Sequence, residues 1–63
     1  MIIDYEKLQI ICARKCMSVW EIFQQAHISG RTWLRVKAGE RVRPKTAGKL
    51  AAALKVDVSE ILK

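Results

Sequence analysis

Residues 17–39 read MSVWEIFQQAHISGRTWLRVKAG, and their order predicts a helix, a tight turn and a second helix. Ser18 supplies an N-cap oxygen and Glu21, three residues on, completes a capping box, so a helix starting at Val19 satisfies its first backbone donors from both sides. Ile22, Phe23 and Ala26 then fall on one face, and Met17, ahead of the cap, can staple against the first turn. A second helix over 30–37 takes Ser29 as its N-cap. Its Trp33 and Val36, spaced i and i+3, point back at the first helix, while Gly30, Arg31, Leu34 and Arg35 point away. Only His27 and Ile28 lie between the two helices, so they must cross sharply. A reversal this short needs a positive φ, which His27 tolerates better than most side chains and Gly39 tolerates at the far end.

The flanking segments read as support for this pair. Asp4 is a candidate N-cap for a first helix running to about Lys15, with Tyr5, Leu8, Ile11 and Cys12 as its inward stripe. Pro44 suits the first turn of a fourth helix, about Lys45 to Leu54, which buries Leu50, Ala51 and Leu54. Gly48 weakens that helix by around 1 kcal/mol relative to alanine unless close packing needs the missing side chain. Val56 fills a gap between helices. Asp57 and Glu60 form a second capping box, predicted to start a fifth helix whose Val58, Ile61 and Leu62 close the core. The expectation is an all-α chain, five short helices in one compact bundle, with residues 1–63 forming one domain and the helix-turn-helix spanning 18–37. Ile10 lies off the first helix's stripe and, with Met1, Ile2 and Ile3, is expected to leave apolar surface available to a partner. Trp20 falls at the edge of the second helix's inward face.

At 63 residues, 51% apolar and 29% charged, the chain has a globular composition, and folding at this size buries only about 60% of the surface the unfolded chain exposes. No apolar run approaches the roughly 18 residues of a membrane span, and Met1 to Ile3 are followed at once by Asp4 with no basic leader, so the expected compartment is the cytoplasm. Cys12 and Cys16, four apart in what reads as one helix, cannot easily bridge. Two thiols and the distant His27 fall short of the four ligands of structural zinc, so neither a metal nor another cofactor is expected. Nor does any nucleophile stand with a base and an orienting group, which argues against an enzyme.

Charge placement is more informative than its total. Arg31, Arg35, Lys37, Arg41, Arg43, Lys45 and Lys49 are opposed only by Glu40, so residues 31–49 carry the whole net charge of +6. The remaining basic and acidic residues cancel. A focused basic surface suits a polyanion, and phosphate neutralisation is the usual source of baseline affinity for nucleic acid.

The run from Met17 to Gly39, then Arg43-Pro44, then LAAALKVDVSEIL at 50–62, resembles the helix-turn-helix superfamily of the lambdoid phage repressor and Cro proteins (the xenobiotic response element family) across residues 5 to 62. The resemblance implies a lambda repressor-like five-helix fold and a sequence-specific transcriptional regulator, typically a repressor from a phage or mobile element, reading double-stranded DNA with the helix at 30–37. By that resemblance the base-facing positions are Ser29, Gly30, Arg31, Leu34 and Arg35. The phosphate-facing ones are Ser18, Thr32, Arg41, Arg43 and Lys45. Val19 stands where the family often has a phosphate-bridging glutamine, Phe23 where it has a small alanine, and His27 where it has a turn glycine.

From the residues alone, Arg31 and Arg35 share a helix face, and guanidinium forks match the O6 and N7 acceptors of guanine; Leu34 offers an apolar contact to a thymine methyl. Surface ion pairing with Glu21 or Glu40 is the alternative for these arginines. Regulators of this kind mostly bind as homodimers. No dimerisation domain is expected after Lys63, so the bundle itself is expected to supply the interface, through Ile10 and Met1 to Ile3 or the fifth helix. The competing reading is a protein interaction module on the same fold, using Trp20, Ile10 and Leu34.

Overall fold

Each helix in the computed structural model, which describes all 63 residues, begins and ends where local backbone chemistry demands it. Asp4 caps α1 (Tyr5–Arg14) by accepting from the Lys7 N–H at 3.2 Å. Ser18 and Glu21 form the reciprocal capping box of α2 (Val19–Gln25), at 3.1 and 3.2 Å. Ser29 caps α3 (Gly30–Lys37), accepting from the Thr32 N–H at 3.3 Å. Pro44 opens α4 (Pro44–Leu54), preceded by Arg43, whose side chain makes no capping bond.

All four helices close in the same way. A residue in the left-handed region follows the last turn, namely Cys16 (φ 55°), His27 (φ 57°), Gly39 (φ 79°) and Lys55 (φ 58°). The next residue's N–H then returns to a carbonyl inside the helix: Met17 to Cys12, Ile28 to Phe23, Glu40 to Arg35 and Val56 to Ala51, at 2.9–3.0 Å. These are Schellman closures, and only one of the four uses glycine. His27 thus has the positive φ that the two-residue link required. Cys16 lies beyond α1, not within it, because the closure ends that helix at Arg14.

The core consists of Ile3, Leu8, Ile11, Cys12, Ile22, Phe23, Val36, Ala47, Leu50, Ala51, Leu54 and Ile61. Most of these were legible from helical spacing. Ala26 is only half-buried, and Ala47 completes the α4 stripe one turn before Leu50 and Ala51. Packed against α4 is the C-terminal segment, where the fifth helix was expected. That expectation is corrected: Val58–Glu60 form a single 3-10 turn, so there are four α-helices and not five. The capping box does form, with Glu60 accepting from the Asp57 N–H at 3.0 Å. The Ser59 N–H and hydroxyl, at 2.9 and 2.8 Å, hold the Asp57 carboxyl below the usual carboxylate range, so the cap stays ionised well into acid. Propagation fails because the chain turns extended after Ile61, and one turn cannot repay the cost of nucleating a longer helix.

What draws the C-terminal segment out of helix is pairing with residues 1–4. Ile3 bridges Leu62 and Ile2 bridges Arg41, both antiparallel. The Asp4 N–H donates to the Ile61 carbonyl at 2.8 Å and the Lys63 N–H to the Ile2 carbonyl at 3.1 Å. Ile3 is therefore a core residue, 1% exposed, and the expectation of a free Met1 to Ile3 patch is corrected; Met1 and Ile10 remain about half exposed. A period-2 pairing of three residues is too short to be seen as alternation in sequence.

Gly48 sits on the exposed side of α4, and a Cβ built there would meet nothing within 4 Å. No close packing needs it. Gly48→Ala is expected to raise the unfolding free energy by about 0.5–1 kcal/mol, read as a higher urea midpoint at unchanged slope.

Candidate nucleic-acid interface

Helix α3 presents three different edges because its inward positions are fixed first. Val36 is fully buried and Trp33 half-buried, which turns Arg31 and Leu34 outward, with Arg35 beside them; all three are exposed. On one flank, Trp33 meets Trp20 of α2 with ring centroids 5.5 Å apart and planes tilted by 59°, and the Lys37 ammonium lies 5.3 Å from the Trp33 ring. The Trp33 indole nitrogen is shut off from solvent without an acceptor. Gly30 is half-buried beneath Trp20, 3.7 Å separating the ring from where a Cβ would stand. Trp20 is thus an edge residue, 42% exposed, braced on α3.

On the opposite flank the structure assembles side chains that are far apart in sequence. Thr32 and Arg35 of α3, Arg41 and Arg43 of the following loop, and Thr46 of α4 line an open cleft of about 580 Å³ whose floor is completed by Met1 and Val42. The loop is not free. The Met1 amino group donates to the Val42 carbonyl at 3.0 Å and the Val42 N–H returns to the Met1 carbonyl at 2.7 Å, beside the Ile2–Arg41 bridge. In extended backbone successive side chains alternate, so with Val42 turned toward the core, Arg41 and Arg43 project together on the other side. Three guanidinium groups border the cleft and no carboxylate does, which concentrates positive potential there. No arginine side chain donates a hydrogen bond within the molecule, so ion pairing with Glu21 or Glu40 does not occupy them.

The residues singled out from sequence therefore fall into groups. Arg31 and Leu34 share the outward face. Arg35 borders both that face and the cleft, where Thr32, Arg41 and Arg43 join it. Lys45 is exposed in the first turn of α4 but does not line the cleft, and Ser18 stands apart at the start of α2. The Ser18 hydroxyl oxygen accepts a capping bond, which leaves its proton to offer a phosphate; the Ser29 oxygen also accepts a capping bond and lies 3.1 Å from Thr32 Oγ1, a contact that uses one of these two hydroxyl protons. Thr46 was missed by sequence reasoning; its only signal is a place in the first turn after Arg43-Pro44. Elsewhere, Cys16 is exposed, while burial pushes the Cys12 thiol up and keeps it protonated, and no group of His, Cys, Asp and Glu side chains large enough to hold a metal ion comes together. No helix is long and apolar enough to cross a membrane.

A family model for the Cro/C1-type HTH DNA-binding domain matches residues 7–63. No curated protein and no solved structure matches the chain.

Proposed function

We propose, since the chain belongs to the Cro/C1-type HTH DNA-binding domain family, that this DNA-binding regulator is a sequence-specific transcriptional repressor that inserts α3 into the major groove. Arg31, Leu34 and Arg35, with Ser29 and Gly30 at the helix start, face the bases. Arg41, Arg43 and Lys45, with Thr32 and Ser18, hold the phosphates on either side. The observation that carries this reading is the cleft: a loop with two arginines is pinned beside α3, so the charge that supplies affinity borders the helix face that can supply selectivity.

The division of labour follows from geometry. An α-helix with its side chains is about 10–12 Å across, which fits the width of the major groove, and outward guanidinium forks suit guanine. Phosphates need only positive charge within reach of the groove edges, which the loop and the start of α4 provide. The regulator acts in the cytoplasm, without a cofactor or an enzymatic activity, as a homodimer on a two-fold symmetric site, because two half-sites multiply a weak single-domain affinity. Exposed Ile10 is the candidate contact between copies.

Salt dependence tests the reading. With Arg41, Arg43 and Lys45 of both copies neutralising about six phosphates, affinity for duplex DNA should fall roughly a thousandfold between 50 and 200 mM salt. Affinity that is flat across this range, or salt-insensitive capture of a protein through exposed Trp20, Leu34 and Ile10, would favour an interaction module instead.

A further inference from the structure

Two of the four large apolar side chains left exposed on this protein are Trp20 and Leu34, at 42% and 58%; Trp20 lies against Gly30, and Leu34 follows Gly30 by one helical turn. Leu34 is one helical turn beyond Gly30 on the same face of α3, and helical side chains lean toward the N-terminus, so Leu34 leans toward Gly30 and leaves more than 4 Å between itself and the position of the missing side chain. The six-membered ring of Trp20 closes that position from the other side, with two of its carbons 3.7 and 3.8 Å from the missing Cβ. The result is a shallow apolar seat, open outward, with Arg31 on the same exposed surface.

Solvated apolar area of this kind is costly unless something covers it, and Arg31 on the same outward surface of α3, a helix without a carboxylate, favours a polyanion over an apolar protein face. The part of a DNA major groove that fits an apolar seat is the 5-methyl group of a pyrimidine, the only apolar substituent the groove presents. We propose that Trp20, Gly30 and Leu34 together form a seat for one pyrimidine 5-methyl group, making the protein a reader of thymine, or of 5-methylcytosine, at one position of its site. This rests on the proposed insertion of α3 into the groove. It adds Trp20 to the interface and gives Gly30 a role: its missing side chain is the seat.

The test begins with selection of bound duplexes from a random pool. In the enriched duplex each thymine is then replaced singly by deoxyuridine, which removes only the methyl group, and each cytosine by 5-methylcytosine. Wild-type protein is expected to lose about fourfold in affinity at one thymine, the worth of burying one methyl group. Gly30→Ala fills the seat without a clash and with a better helix former, so it should fold at least as well yet bind the thymine and deoxyuridine duplexes equally. Leu34→Ala should also erase the difference. A comparable gain at one cytosine on methylation, lost in both variants, would support the seat with 5-methylcytosine as its source. Equal affinity of wild-type protein for all methyl variants of an enriched duplex would overturn the seat while leaving the DNA-binding reading standing. Failure to enrich any motif would overturn the sequence-specific reading and the seat with it.

Discussion

Phe23→Ala is expected to remove most of the stability of this chain, lowering the unfolding free energy by about 3–5 kcal/mol. Phe23 is fully buried and is the largest side chain in the core. At ~0.05–0.15 kcal/mol per residue, 63 residues are held by only about 3–9 kcal/mol, so the loss is comparable with the whole. The substitution is informative because alanine is what the resemblance to phage repressors leads one to expect at this position. If the helices of the pair could simply approach until an alanine packed, the cavity would collapse and the cost would drop. In the structure Phe23 belongs to one continuous buried cluster, and its helix α2 packs against α1, α3 and α4, so collapse would have to move several helices at once. Urea unfolding followed by helical circular dichroism measures the difference. A loss below about 1 kcal/mol would mean that the pair closes up and that Phe23 is a tolerated enlargement of the family core.

The second large effect concerns the interface. Arg35→Ala is expected to cost about 1–3 kcal/mol on the selected site and to relax preference at one base pair, whereas Arg43→Ala should weaken every sequence alike and reduce the salt slope by about one. Arg35 is the sharper test because it borders both the outward face of α3 and the cleft shared with Arg41 and Arg43. If Arg35→Ala also weakens all duplexes uniformly, its guanidinium belongs to the phosphate-holding group, and base reading by arginine falls to Arg31 alone. Competition binding against single-base variants of the selected duplex separates these outcomes. Neither arginine is buried, so both variants should fold.

The parts of this fold that were readable from sequence are those governed by local chemistry. Ser18 with Glu21, Ser29 and Gly39 all act within three or four residues of themselves, and each does in the structure what its spacing implied; Asp57 and Glu60 form the expected capping box, but it starts only a 3-10 turn. The left-handed Cys16 and Lys55 were not readable, because neither residue type favours that conformation; the closure is imposed by Met17 and Val56 packing back against the core. Ile3 was misjudged for a related reason. Its burial depends on Leu62, at the other end of the chain, and no local periodicity reports a partner so distant. The same division runs through the interface. Charge placement pointed to residues 31–49, and helix spacing put Arg31, Leu34 and Arg35 on one face. That Arg35 would meet Arg41, Arg43 and Thr46 across a cleft depended on how the loop is pinned, which only the three-dimensional arrangement reveals.

The extended segment at residues 1–4 gives the molecule an order of assembly. The four helices are capped and closed by contacts a few residues long, so they and their immediate packing can form quickly, whereas joining Ile3 to Leu62 closes a loop of nearly the whole chain and comes late on the folding route. Substitutions at Ile3 should then act mainly by speeding unfolding and leave the folding rate nearly unchanged. The amides of Asp4, Val42 and Lys63 should open together in hydrogen exchange, before the helices do. Because Val42 lies between Arg41 and Arg43, that opening also unpins the loop that carries both arginines.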